Sequence, residues 1–127
     1  MTKRIVIVDD KKQVRQDLRT ALALSGEIEI LGEAANGREA IRLVETLRPD
    51  VVLLDLEMPI MDGYRAASAI KSLSPSCRVI VLTIYDDPGA REKTLEAGAD
   101  GFIVKGTPIE QLARAILGAG DFLVENQ

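Results

Sequence analysis

The sequence predicts an α/β domain with a five-stranded parallel sheet, doubly wound by helices on both faces. Three observations carry that prediction. Apolar residues come in short, β-branched-rich runs that, apart from Glu29 in the second, are unbroken rather than alternating, as strands covered on both faces require. Stretches of helical period separate the runs, so strand and helix alternate along the chain. Turn and cap residues fall at the joints between them.

The first run is residues 5–8, and Val14, Leu18, Ala21 and Leu22 after it fall on one helical face. The second is 28–31, closed by the Asn36-Gly37 turn or cap, after which Ala40, Ile41, Val44 and Leu47 form the next stripe. Arg48-Pro49 ends that helix before the third run, 51–54. A less sharply patterned helix is expected over 61–73, entered through Asp62-Gly63 and left at Ser74-Pro75. The fourth run, 79–82, leads through Asp87-Pro88 to a weak helical pattern at 89–97, stopped by Gly98. The fifth run, 102–104, precedes the stripe of Ile109, Leu112, Ala113 and Ile116. Residues 1–120 are expected to form the domain, with 121–127 a frayed tail or the start of a linker to a further domain.

Composition narrows the chemistry. The chain has 127 residues with 46% hydrophobic and 28% charged, enough for one sizeable core in a single domain. A net charge of −4 argues against a basic nucleic-acid-binding face. No apolar run approaches the roughly 20 residues needed to span a bilayer, and no signal peptide opens the chain, so a cytoplasmic protein without membrane contact is expected. The single Cys77 lies in an apolar run and reads as a buried structural thiol. The absence of histidine excludes histidine general-base catalysis and most zinc sites. Carboxylates, hydroxyls, lysines and a hard metal ion remain.

In an open parallel sheet, ligands bind beyond the carboxyl ends of the strands. Asp9 and Asp10 follow the first apolar run, Asp55 the third, Thr83 the fourth and Lys105 the fifth, whereas the second offers only Gly32 and Glu33. Taken singly, Asp9 or Asp10 could be a helix N-cap, Lys105 a solvated side chain and Thr83 a turn residue. Taken together, they place matching chemistry at one edge from separate loops. Three carboxylates held close together repel one another unless a cation sits among them, and an all-oxygen set suits Mg²⁺ or Mn²⁺. Such a site could merely bind the metal, or one carboxylate could attack phosphorus. Thr83 and Lys105 favour the second, because a hydroxyl and a cation would hold the oxygens of an acyl phosphate.

At these residues the sequence closely resembles the receiver domain of bacterial two-component response regulators. The matching pieces are Ile5-Val6-Ile7-Val8-Asp9-Asp10, Pro49-Asp50-Val51-Val52-Leu53-Leu54-Asp55-Leu56-Glu57-Met58-Pro59 with Met61-Asp62-Gly63, Val79-Ile80-Val81-Leu82-Thr83, and Ala97-Gly98-Ala99-Asp100-Gly101-Phe102-Ile103-Val104-Lys105. Glu29-Ile30-Leu31-Gly32-Glu33-Ala34-Ala35-Asn36-Gly37, and Gly106-Thr107-Pro108 after the lysine, resemble the NarL/FixJ type. The resemblance implies a flavodoxin-like (βα)₅ fold and a phosphorylation-dependent regulator. Asp55 would accept a phosphoryl group from a sensor histidine kinase, with Mg²⁺ held by Asp9, Asp10, Asp55 and the Glu57 backbone carbonyl. Thr83 and Lys105 would hold phosphoryl oxygens, and Thr83 with Phe102 would form the switch, although plain core packing is the simpler role for Phe102. Homodimerisation on phosphorylation and transcriptional output are further implications, with DNA bound only through an effector domain outside this sequence.

Lys11 and Ile84 depart from the common pattern, Ile84 being bulkier than the small residue often found there and expected to restrict access to Asp55. The resemblance implies that Glu57 and Tyr85 stand at the positions that tune phosphoryl lifetime in the family, and slow hydrolysis is expected from them. The protein would then slowly lose its own aspartyl phosphate without being a turnover enzyme. Three other readings compete. An aspartyl-nucleophile phosphatase could use Glu57 as its acid, but Met58-Pro59 follows and no substrate cap is present. A stand-alone receiver or pseudo-receiver could act only as an interaction module. An FMN-binding flavodoxin lacks support, since no Ser/Thr/Gly-rich loop follows the first strand.

Overall fold

The computed structural model describes residues 2–56, 61–84 and 88–118. Strands and helices alternate as β1 (Lys3–Val8), α1 (Lys12–Leu22), β2 (Ile28–Ala34), α2 (Gly37–Leu47), β3 (Val51–Asp55), α3 (Gly63–Leu73), β4 (Arg78–Thr83), α4 (Pro88–Glu96), β5 (Gly101–Val104) and α5 (Ile109–Leu117). The strands pair in parallel in the order β2-β1-β3-β4-β5. This is the flavodoxin-like (βα)₅ arrangement expected from the sequence.

Two cores form because alternate strand residues face opposite layers. Val6, Val8, Val52, Leu54, Val79 and Val81 pack with Ala40, Val44, Ala66 and Ile70 beneath α2, α3 and α4. Ile5, Ile7, Val51, Leu53, Ile80 and Ile103 pack with Leu22, Leu112 and Ile116 beneath α1 and α5. Each fully buried Ile, Leu or Val contributes roughly 1.5–3 kcal/mol. With both faces apolar, hydrophobicity alone specifies strand register weakly. Polar groups at the strand starts supply it: Asp50 Oδ2 accepts from Arg4 N at 2.8 Å, and Asp100 Oδ2 from Val79 N at 2.9 Å.

The helices begin where cap chemistry dictates. Asn36 Oδ1 accepts from Glu39 N, and Glu39 Oε1 accepts in turn from Ala35 N, closing the start of α2 reciprocally. Asp62 caps α3 through Arg65 N, which moves its start to Gly63 from the expected 61. The weak apolar pattern of α4 has its counterpart in the structure, where Leu95 is exposed and Thr94 is buried with its hydroxyl donating to Ala90 O. Gly98 adopts φ +87 after α4, as its stop signal requires. Cys77 is buried, and burial pushes its thiol up to about 11, as a structural cysteine requires. The expected tail at 121–127, with residues 119 and 120 of the expected domain, lies outside the described residues.

Candidate functional site

The strand order reverses direction of growth between β1 and β3, so the carboxyl ends of those two strands flank the crevice of the fold. Val8 lies opposite Leu54, which sets Asp9 beside Asp55. Both carboxylates are buried, at 1% and 0% exposure. Asp55 and Thr83 are the last residues of their strands rather than the first after them. Asp55 registers with Leu82 and Thr83 with Val104, and Lys105 N donates to Thr83 O at 2.7 Å. Backbone pairing alone thus draws five side chains from four strand ends to one place.

Their geometry is specific. One carboxylate oxygen from each of Asp9, Asp10 and Asp55 lies within 4.8 Å of the others. Lys105 Nζ bridges two of them, 3.3 Å from Asp9 Oδ2 and 3.1 Å from Asp55 Oδ1. Burial opposes the Lys105 charge, but the hydrogen bond and charge of Asp55, then those of Asp9, outweigh it and raise its pKa. The lysine therefore stays a cation. Asp9 Oδ1 accepts from Lys11 N at 2.9 Å, and Lys11, the N-cap residue of α1, makes no side-chain cap hydrogen bond. Neither Asp9 nor Asp10 is consumed as the helix cap that each could have been. Asp10 is the most exposed of the three, with Lys11 Nζ at 3.7 Å.

Three carboxylates, two of them buried, against one partly buried bridging lysine leave excess negative charge at the crevice. The donors are all hard oxygens and are close enough to share one ion, so the residues present fit a small divalent cation. The floor of the site allows little slack. A Cβ at Gly63 would sit 2.6 Å from Leu56 Cα and 2.8 Å from Asp55 O, so α3 reaches the end of β3 only because residue 63 is glycine.

Several sequence expectations surround this centre. Phe102 is buried in the layer beneath α3 and α4, with the Arg91 guanidinium 5.8 Å from its ring centroid. Ile84 is exposed. Glu57 and Tyr85 lie outside the described residues. Glu33, set aside at the sequence level as a residue following a strand, instead lies within β2 and turns out to be engaged. Its Oε1 accepts from Arg15 Nε at 3.0 Å and its Oε2 from Arg19 Nε at 2.6 Å, while Arg15 Nη1 donates to Asp9 O at 2.7 Å. The hydrogen bond from Arg19 holds the Glu33 carboxyl below its ordinary range against the opposing effect of burial, and Arg15 adds to the lowering.

Comparison with known proteins agrees with this architecture. The profile of the response regulator receiver domain matches residues 5–117. The chain belongs to the response-regulator receiver family. As a receiver, it is 43% identical over 111 residues to the transcriptional regulatory protein YhcZ of Bacillus subtilis, covering 87% of this chain and 52% of YhcZ. It spans about half the length of the curated relatives it matches. Its fold superposes on the signal receiver domain of the response regulator NarL from Mycobacterium tuberculosis with TM-score 0.88 and 36% identity, covering 92% of this chain and 94% of that one. The crystal structure of the CheX–CheY–BeF3–Mg complex from Borrelia burgdorferi includes a chain that matches with TM-score 0.83 and 29% identity over 91% of this chain and 87% of that one. The receiver thus has NarL-type transcriptional regulators among its relatives, in keeping with its sequence features.

Proposed function

We propose that this receiver accepts a phosphoryl group on Asp55 from a phosphohistidine of a partner sensor kinase, assisted by Mg²⁺ or Mn²⁺ held by Asp9, Asp10 and Asp55. The observation that carries this reading is the buried Asp55 carboxylate between an acidic neighbour and a bridging lysine: Lys105 Nζ lies 3.1 Å from it and 3.3 Å from Asp9. These 127 residues contain no histidine, so the histidine donor of this proposal lies outside them. In the transfer, the donor's N–P bond breaks as an Asp55 O–P bond forms, and the leaving imidazole keeps the electron pair and takes a proton from solvent.

A bound divalent cation supplies charge neutralisation for the phosphoryl oxygens. Lys105, held charged beside Asp55, pairs with one such oxygen, and the Thr83 hydroxyl donates to another. The Glu57 carbonyl is proposed as a further cation ligand, and Glu57 with Tyr85 as the pair that sets phosphoryl lifetime. A dianionic group at Asp55 then biases Thr83 and Phe102 between two arrangements, which is read out as dimerisation and, in a longer protein, as transcriptional control through a DNA-binding domain. The relative solved with BeF3 and Mg supports the same ligand chemistry here.

The test is size-exclusion chromatography with and without beryllofluoride and Mg²⁺, on wild type and Asp55→Ala. A shift to dimer in wild type alone is expected. An identical response in both proteins would remove Asp55 as the acceptor.

A further inference from the structure

Asp10 is the least supported of the three carboxylates. Its side chain is 31% exposed, and the described contact is Lys11 Nζ at 3.7 Å, too long and too solvated to orient it. Its direction must therefore come from the backbone, through the peptide that joins it to Asp9. That peptide is held on its oxygen: Asp9 O accepts from Arg15 Nη1 at 2.7 Å. On the preceding peptide, Asp9 N donates to Ala34 O at 3.0 Å.

The guanidinium that holds the oxygen is itself held. Glu33 precedes Ala34 on β2 and lies opposite Ile7, so β2 braces both sides of Asp9 from adjacent residues. Glu33 takes Arg15 Nε on one carboxylate oxygen and Arg19 Nε on the other, with Arg15 only 15% exposed. The planar Arg15 fork leaves little rotamer freedom once Nε is engaged, so its Nη1 donates in one direction. Partly exposed ion pairs contribute little to stability. An orienting role explains why one of these arginines ends on a backbone oxygen between two site aspartates.

We infer that Arg15, fixed by Glu33, is a positioning residue that sets the Asp9–Asp10 peptide and so aims Asp10 into the cation site. This rests on the reading of the acidic trio as a cation site. Groups that orient metal ligands without touching the metal typically change affinity by 10–100-fold when removed.

The experiment is Mn²⁺ binding to the folded protein, measured by electron paramagnetic resonance of the free ion, with thermal unfolding in chelator recorded for every variant. Arg15→Met is expected to weaken Mn²⁺ roughly 10–100-fold, while Arg19→Met, which removes a guanidinium that contacts Glu33 but not Asp9, stays within about twofold. Arg15→Lys, still able to donate to the Asp9 oxygen, should recover part of the loss. Should Arg15→Met fail to fold, Glu33→Gln carries the test, with a loss of roughly fivefold or more expected beside an unchanged Arg19→Met. The inference falls if Arg15→Met binds Mn²⁺ as wild type does, or if Arg19→Met loses as much affinity as Arg15→Met. Wild type that binds no Mn²⁺ at millimolar concentration overturns the cation-site reading itself, an outcome distinct from wild-type binding with Arg15→Met unchanged.

Discussion

At the amino-terminal end of the sheet, Asp50 and Asp100 each accept a strand amide, Arg4 N and Val79 N, and each returns its own amide to the carbonyl of the same residue, at 2.7 and 2.8 Å. Lys71 Nζ completes the Asp100 site at 2.9 Å and also donates to Pro75 O and Cys77 O. At the carboxyl-terminal end, Asp9, Asp10 and Asp55 face one another across less than 5 Å, and Lys105 bridges only two of them. The residue type is the same at both ends, and the matching of donors differs. Aspartates with fixed donors pin strand register. Aspartates gathered with excess negative charge repel one another, and that excess destabilises the protein unless positive charge is brought to it.

The largest effect that would sharpen this contrast lies at Gly63. It is not among the glycines with positive φ, and the constraint is space: an added Cβ meets the backbone of Leu56 and Asp55, which cannot rotate away. Gly63→Ala should lower unfolding free energy by about 3 kcal/mol, the upper part of the usual overpacking range, and weaken cation binding with it. Denaturant unfolding with and without Mg²⁺ measures both. A variant as stable as wild type would show that α3 is not wedged against the site.

Smaller effects of opposite sign separate the two ends directly. Asp100→Ala strips acceptors from Lys71 and from Val79 N, and should cost about 1–3 kcal/mol whether or not Mg²⁺ is present. Asp10→Asn removes one charge from the repelling trio and should gain roughly 0.5–1 kcal/mol in chelator. Wild type should then gain about 2.7 kcal/mol when Mg²⁺ is raised to a hundred times its Kd, a gain Asp10→Asn should largely lose. Calorimetric melts of the three proteins in chelator and in Mg²⁺ test the whole pattern. The contrast breaks if Asp10→Asn destabilises the cation-free protein as Asp100→Ala does.

Why most of this could be read from the chain, and part could not, follows from the strands. In β1, β3, β4 and β5 the apolar run stops within one residue of the strand end, so the first polar group marks the site edge, as with Asp9, Asp55, Thr83 and Lys105. In β2 the apolar run stops at Leu31 while the strand continues to Ala34, past a shift that pairs Ile5 with Ile30 but Val6 with Gly32. That edge strand is only partly buried in its middle, so Glu33 had no hydrophobic frame to locate it. The signal that could have found it sits on α1, where Arg15 and Arg19 are spaced by four beside the apolar stripe and call for a shared carboxylate. Gly63 was legible as a turn residue, yet its real constraint, close approach to β3, is a tertiary fact that no local pattern carries.

The smallest expected effect is the pH dependence of the Glu33 bridge, which links the fully matched style of ion pairing to the acidic end. Hydrogen bonding from Arg19, with Arg15 adding to it, lowers the folded-state pKa of Glu33. A depressed carboxyl contributes stability that is fully present above its unfolded pKa, about 4.3, and is lost as pH falls through the folded value. The contribution should be about 0.2–1 kcal/mol, because both partners remain partly solvated. Urea unfolding of wild type and Glu33→Gln should therefore differ by that amount at pH 7 and converge as the pH drops below 4. A gap that stays constant into acid would mean that the carboxylate charge contributes nothing, and that Glu33 holds the two arginines by hydrogen-bond geometry alone.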